Sequence, residues 1–379
     1  MFGLYLHIPF CSSICNYCNF NRGLYDETLK SQYVTALLQE IARARPYDVD
    51  STHLSQADTI FFGGGTPSLL DPSDVGAILR ACRDCFDVAD DAEITLETNP
   101  ETVDCAKLEG FRAVGVNRLS FGVQSFHDEE LRRLGRIHSA ARAQAALREA
   151  RAAGFRNVSL DLMMWLPGQS VSQWLANVDA LIAAEPDHAS LYLLELYPNA
   201  PLKEDMARAG WSLAPDEDAA EMYLEAMNRL ERAGLRQYEI SNVAREGFAS
   251  RHNLKYWSDG EWLGFGCGAH STVAGARWKN VAGTEDYIRR VAAGASLEVE
   301  RRLLTPDERL EEALFTGLRL TDGIDMEEVG ARYACDVWRR YGEALRPFVE
   351  EGWVVRDGSR LRLTRPGMLM ANEVMAVFV

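Results

Sequence analysis

The sequence predicts an α/β fold: a partial, open (β/α)6 barrel followed by a small helical, winged-helix-like C-terminal domain. Three observations carry that expectation. As far as Leu196, short β-rich runs alternate with stretches whose apolar residues recur every three or four positions, so each strand is followed by a helix. Such units join by right-handed crossovers into a parallel sheet, and six of them fall two short of a closed eight-fold barrel. Beyond residue 303, helices lead into two short strands about an Asp-Gly pair, the signature of a hairpin wing.

The barrel strands are expected at Gly3–Ile8, Thr59–Phe62, Glu93–Glu97, Arg118–Val123, Val158–Met163 and Ser190–Leu196. Leu29, Tyr33, Leu37 and Ile41 form the apolar face of the first helix, and Val75, Ile78, Leu79, Cys82 and Phe86 that of the second. Asp71-Pro72-Ser73-Asp74 starts this second helix, with an N-cap acid, proline at the first helical position and an acid in the first turn. Later helices span Ala140–Ala153, stopped by Gly154, and Ser172–Ala184, closed before Pro186. Residues 1–200 therefore read as the barrel. Residues 201–300 are less regular: a helix at Asp216–Ala233, a strand at Gln237–Ile240 and a Gly- and Trp-rich stretch from Trp257 to Trp278. Residues 301–379 open on the capping box Thr305-Pro306-Asp307-Glu308. They continue through helices at Leu310–Leu318, Met326–Tyr333 and Trp338–Glu350, then strands at Trp353–Arg356 and Arg360–Leu363. In such sheets ligands lie at the carboxyl ends of the strands.

Charge narrows the function. Forty basic against 56 acidic residues leave a net charge of −16, a poor match to a phosphate backbone, so nucleic-acid binding is not expected, although Arg132, Arg133 and Arg136 form a local basic cluster within five positions. No run of 18 apolar residues predicts a membrane span. The N-terminal apolar run has no basic n-region and is interrupted by His7 and Pro9, so no signal peptide is expected and the chain is placed in the cytoplasm. In a reducing compartment its eight cysteines are metal ligands, reactive thiols or core residues rather than a disulfide framework.

Cys11, Cys15 and Cys18 fall within eight residues, directly after the first strand. Thiolates at this spacing select zinc or an iron–sulfur cluster. Structural zinc needs a fourth ligand, and none follows at normal spacing; His7 sits on the preceding strand. A cluster on three ligands keeps one iron open for a small molecule, and three unligated core thiols are the bland alternative. Gly63-Gly64-Gly65-Thr66-Pro67 follows the second strand, but Ser68 stands where a dinucleotide fingerprint needs its third glycine. Cys82 and Cys85 form a CxxC on an amphipathic helix, with Cys82 on the apolar stripe, and together with Cys335 read as packing residues.

Tyr5-Leu-His7-Ile-Pro9-Phe-Cys11-x3-Cys15-x2-Cys18 resembles the radical S-adenosylmethionine (SAM) proteins, specifically the oxygen-independent coproporphyrinogen III oxidase-like family. The resemblance implies a radical-SAM barrel whose CxxxCxxC loop binds a [4Fe–4S] cluster. The open iron of that cluster chelates SAM, whose cleavage yields a 5′-deoxyadenosyl radical. It further implies that Cys11, Cys15 and Cys18 hold the cluster and that Tyr5, Tyr17, Gly64, Gly65, Thr66, Glu97, Gln124, Arg136 and Asp161 contact SAM, with Glu97 on the ribose. If SAM is cleaved, an electron donor such as flavodoxin or ferredoxin is implied.

Two departures from the oxidases point to a branch. Phe20 stands where they carry a fourth cysteine, and Cys11 is reached without their N-terminal extension. Both features resemble the HemW branch, regarded as heme chaperones. Arg251-His252-Asn253-Leu-Lys-Tyr256-Trp257 is similar to that branch's HNxxYW motif, which implies heme contacts at His252, Tyr256 and Trp257. An imidazole can ligate iron and aromatic rings can stack on the macrocycle. Cys267 and His270, in a Gly-rich run, are alternative ligands. The resemblance therefore implies heme binding and transfer to an acceptor protein. Coproporphyrinogen oxidation and SAM-dependent methyl transfer are the competing activities.

Overall fold

The computed structural model describes residues 1–44, 56–198 and 200–379. Six parallel strands form its centre: β1 (Phe2–Ile8), β2 (Ala57–Gly64), β3 (Val88–Thr98), β4 (Arg118–Gln124), β5 (Val158–Met164) and β6 (His188–Leu193). They pair in chain order, β1 to β2 and onward to β6. Between them run α1 (Glu27–Arg43), α2 (Pro72–Cys85), α3 (Cys105–Val114), α4 (Ala140–Ala152) and α5 (Val171–Ala183). The apolar helix faces cover one side of the sheet: Tyr33, Leu37 and Ile41 of α1 and Val75, Ile78, Leu79 and Cys82 of α2 are all buried. Every expected barrel strand is present within about five residues of its expected ends, and α3 had no sequence-based expectation.

The sheet is wider than six strands. β7 (Trp262–Phe265) pairs parallel with β1, and β8 (His270–Val273), β9 (Ala276–Asn280) and β10 (Glu298–Leu303) continue antiparallel from it. On the far side Asn242–Ala244 and Arg236–Gln237 add to β6, so the sheet has 12 strands and the middle of the chain supplies both of its flanks. The strand expected at Gln237–Ile240 is only Arg236–Gln237; Glu239 instead bridges to Leu320 in the C-terminal part. The Gly- and Trp-rich stretch from Trp257 to Trp278 holds β7, β8 and the start of β9, and two helices precede it, α6 (Asp216–Arg232) and the short α7 (Arg251–Trp257). Strands of four or five residues broken by Gly266, Gly268 and Gly275 at positive φ show too little alternation to be read as strands.

The C-terminal part follows expectation. The capping box closes in both directions, Glu308 N to Thr305 Oγ1 at 3.2 Å and Thr305 N to Glu308 Oε2 at 2.7 Å. Helices Pro306–Gly317, Met326–Tyr333 and Val337–Glu350 pack beside a three-stranded sheet of Ile324–Asp325, Arg360–Leu363 and Val354–Asp357, whose tip is Gly358-Ser359, one residue past the expected Asp357-Gly358 turn, since Asp357 pairs with Arg360. No helix among the described residues is long and apolar enough to cross a membrane.

Candidate functional site

The residues that point into the barrel follow from the period of two along each strand: Gly122 and Gln124 on β4, Asp161 and Met163 on β5, and Glu97 at the end of β3. At the carboxyl ends these side chains and the loop after β1 enclose a cavity of about 340 Å³. Cys11, Cys15, Cys18, Tyr17, Gly64, Gly65, Thr66, Glu97, Gln124, Arg136 and Asp161 all line it. Residues spread over 151 positions therefore converge on one space.

The cysteine loop is held on several sides. Phe10–Cys11 pairs with Gly23–Leu24, and Tyr25 N donates to Cys11 O at 2.9 Å. Asn16 Nδ2 donates to Arg133 O at 2.8 Å and to Asp205 Oδ2 at 3.0 Å, fixing the middle of the loop to two other segments. Thr66 Oγ1 lies 3.7 Å from Cys11 Sγ, Arg136 Nη1 lies 3.5 Å from Cys15 Sγ, and an Arg22 nitrogen bonds to Cys18 O. Burial raises the thiol pKa of Cys11 and of Cys18. A metal that binds these two thiols must displace their protons. Among the described residues no three His, Cys, Asp or Glu side chains converge on a single metal ion. A [4Fe–4S] cluster takes each thiolate on a different iron, so this donor set fits a cluster better than a lone zinc.

The opposite wall is built from glycine backbone and buried polar groups. Gly64 has φ of +114°, and a Cβ there would stand 2.6 Å from the His7 ring; its N–H donates to Glu97 Oε2 at 3.1 Å. A Cβ on Gly65 would stand 2.7 Å from Phe10 O, so the glycine run passes directly against the base of the cysteine loop. A Cβ on Gly122 would crowd Gln124, Asn99 and Arg136 at 3.1–3.5 Å, and its absence keeps the cavity open there. Gln124 itself has φ of +68° beside a register shift between β4 and β5, which turns its side chain into the cavity. Its Oε1 and the Nε of Arg136 are buried without a partner, a vacancy suited to a polar ligand.

The electrostatics are those of a buried, mixed-charge pocket. Burial first, then the nearby Asp161, pushes the Glu97 carboxyl up to about 8. Burial also raises Asp161, against hydrogen bonds from Ser190, Ser120 and Ser159. Burial works against the Arg136 charge, but Tyr17, Cys15 and Glu101 more than offset it, and its pKa rises. Arg136 Nη2 donates to Gly122 O at 2.7 Å and to Asn99 Oδ1 at 2.8 Å, while Asn99 Nδ2 reaches Thr66 Oγ1 at 3.2 Å.

Asn99 thus ties Arg136 to the glycine loop, and sequence reasoning missed it although it stands two residues past Glu97 at a strand end. Tyr192, at the end of β6, could have been found by the same rule; Arg22 carried no signal. Tyr5 does not line the cavity. Its ring lies beneath Gly63, and its hydroxyl bonds to His7 Nδ1 at 3.1 Å.

The expected heme side chains are not brought to the cavity. His252 is 1% exposed, with Nδ1 2.8 Å from Thr59 Oγ1 and Nε2 2.9 Å from the Tyr256 hydroxyl. Both ring nitrogens are therefore engaged by hydroxyl groups within the protein. Trp257 packs under the Arg319 guanidinium at 4.3 Å rather than presenting a free ring face. Of the alternatives, Cys267 is buried, whereas His270 is exposed at the start of β8. Exposed apolar side chains instead gather at the cavity mouth, where Phe20 (65% exposed), Tyr192, Leu193 and Tyr197 stand around the opening.

Comparison with known proteins agrees with this geometry. Residues 5–181 match the radical SAM superfamily and residues 304–370 the HemN C-terminal domain. The chain is similar to the heme chaperone HemW of Bacillus subtilis, 35% identical over 376 residues that cover 99% of this chain and 98% of that protein. It is 34% identical to HemW of Escherichia coli over 383 residues, 99% of this chain and 97% of that one. Its fold is similar to the solved structure of coproporphyrinogen III oxidase (HemN) from Escherichia coli, a radical SAM enzyme: TM-score 0.86, 24% identity, covering 100% of this chain and 89% of that one.

Proposed function

We propose a heme-carrying function from one premise: the chain belongs to the HemW branch of the radical SAM superfamily. It binds heme and passes it to an acceptor protein, using a barrel that also holds a [4Fe–4S] cluster and SAM. The observation that carries this reading is the full-length similarity to heme chaperones, joined to Phe20 standing exposed at the mouth where the oxidases carry a cysteine.

When bound, the cluster supplies an electron and an open iron for the amino and carboxylate groups of SAM. Cys11, Cys15 and Cys18 would hold it. Arg136, beside Cys15, lowers the cost of gathering negative charge on the sulfurs. Gly64 and Gly65 offer backbone to the methionyl part, and Glu97, Gln124 and Asp161 offer hydrogen-bond groups to the nucleoside. Leu194 and Met163, both buried, exclude water from the wall facing them. In this reading residues 1–200 hold the cluster and SAM, residues 201–300 extend the sheet, and residues 301–379 form the C-terminal domain. An external electron donor is required only where SAM is cleaved.

The test is an anaerobic hemin titration of cluster-loaded protein followed at the Soret band, with transfer to an apo-hemoprotein as the second readout. Saturation at a fixed stoichiometry, followed by transfer, is expected. Unsaturable binding, or conversion of coproporphyrinogen to protoporphyrinogen in strict anaerobic turnover, would replace the chaperone reading with the oxidase one.

A further inference from the structure

Below the cavity the barrel interior is layered, and the His-Asn-x-x-Tyr-Trp segment forms its lower layers. The top layer is the glycine run and Glu97. Beneath Gly63 lie the rings of Tyr5 and Phe61, where a Cβ would touch both at 3.0 Å and Glu97 Oε2 at 3.3 Å. The His252 imidazole stacks on Phe61, centroids 5.1 Å apart and planes 26° apart, and on Tyr5 at 6.4 Å and 29°. It occupies the space that Gly3 leaves open, since a Cβ on Gly3 would stand 2.9 Å from the ring. The ring is then locked from both sides by Thr59 and Tyr256. Helix α7, which carries it, is itself fastened inside the barrel: the Arg251 and His252 amides donate to the two oxygens of Glu93 at 3.0 and 3.1 Å.

Burial pushes the imidazole down to about 3, so it is neutral and has one donor and one acceptor nitrogen for two hydroxyl partners. Such a group specifies a position rather than a charge. A heme ligand needs a free nitrogen facing a slot, whereas this one lies beneath the cavity floor with the layer of Tyr5 and Phe61 rings between.

We infer that His252 and Tyr256 are positioning residues for the SAM-facing floor of the cavity, holding Tyr5, Phe61 and through them the glycine run and Glu97 in place. The inference rests on the proposed occupancy of that cavity by SAM. It gives the HNxxYW segment a task at the cofactor site rather than on the porphyrin.

The test uses cluster-loaded protein under anaerobic conditions, with two ligands measured side by side. SAM binding is read from the change it causes in the electron paramagnetic resonance signal of the reduced cluster, and hemin binding from the Soret titration. His252→Ala and Tyr256→Phe should weaken SAM about three- to tenfold, the worth of one or two buried hydrogen bonds, and alter the SAM-bound signal. Hemin stoichiometry and affinity should stay at wild-type values. His252→Gln, which can still bond to both Thr59 and Tyr256, should recover most of the SAM affinity, and Thr59→Val should reproduce the loss. Where His252→Ala fails to fold, Tyr256→Phe and Thr59→Val carry the test. Unchanged SAM affinity with lost hemin binding would overturn the inference in favour of a heme ligand, and unchanged binding of both would overturn it in favour of packing alone. A wild-type protein whose cluster signal does not respond to SAM would remove the cavity reading, and the inference with it.

Discussion

Glu97 shows how one buried group is tuned by its surroundings. It accepts from Gly64 N, yet burial and Asp161 hold its carboxyl at about 8, well above the ordinary 4.5. The folded state therefore keeps a proton that the unfolded chain releases, and its contribution to stability falls as pH rises from about 4.5 through about 8. Glu97→Gln keeps the shape without the charge. Denaturant unfolding of the SAM-free protein should find it close to wild type at about pH 5 and more stable by about 1–3 kcal/mol at about pH 9. A gap independent of pH would refute this. Gly64→Ala, by contrast, should cost at least about 2 kcal/mol at any pH, since its Cβ meets a His7 ring held between Asn21 O and the Tyr5 hydroxyl. The cavity-lining residues were readable because each occupies a strand end or a dense motif: three cysteines in eight positions, Glu97 one residue short of the end of β3, Gln124 closing β4. What could not be read at this scale is which side chains stand behind others. Tyr5 and His252 match motif positions as well as Thr66 does, and only the packing shows that they lie under the floor while Thr66 lines the cavity.

At the scale of elements, local chemistry was the reliable guide and long-range pairing was not. Asp71 and Asp74 close their predicted start of α2, Asp71 N to Asp74 Oδ2 at 3.2 Å, and Ser170 caps α5 just ahead of its predicted first residue. Helix α7 has no comparable end-to-end signal. Its serine cap, Ser250, accepts from Asn253 N at 3.4 Å, but the decisive partner of its first amides is Glu93, 158 positions earlier. That carboxylate supplies the acceptors that a helix start requires and opposes its positive end. Glu93→Gln offers an amide NH₂ to one of two N–H donors and should lose about 1–3 kcal/mol, with the Tyr256 and Trp257 fluorescence changing before global unfolding. Retention of wild-type stability would show that packing alone seats α7. The flanking strands β7 to β10 escaped notice for a related reason. Their ladder partners, not their own residues, make them strands, and β10 carries Glu298, Glu300, Arg301 and Arg302, the charged composition of a protected sheet edge.

For the whole molecule the buried titratable groups divide into two opposed sets. His7, His188 and His252 have lowered pKa values, each mainly from burial, so the folded state refuses protons that the unfolded chain accepts below about 6.5. Their contribution is complete above that value and is lost as pH falls. Glu97 and Glu40 behave oppositely. Burial raises Glu40 to about 7, although Tyr287, Gly266 N and Asn280 all donate to it, so the contribution of both acids declines between about 4.5 and 8. From about pH 4.5 to 6.5 three histidines oppose two acids, so the unfolded chain still binds about one more proton and stability rises gently with pH. Below that window the histidines act together with Glu101, whose pKa is lowered, burial opposing while the His138 hydrogen bond and the Arg136 charge prevail, so stability drops steeply. Above it only the acids titrate, and stability declines again toward pH 8. Cluster-loaded, SAM-free protein should therefore be most stable at about pH 6.5 and should weaken measurably by pH 8 in denaturant unfolding. Glu40→Gln and Glu97→Gln together should flatten the alkaline limb and leave the acid limb in place. Stability that climbs steadily through pH 8 in the wild-type protein would mean that one or both acids are ionised in the folded state, and that hydrogen bonds from Gly64, Gly266 and Asn280 outweigh burial.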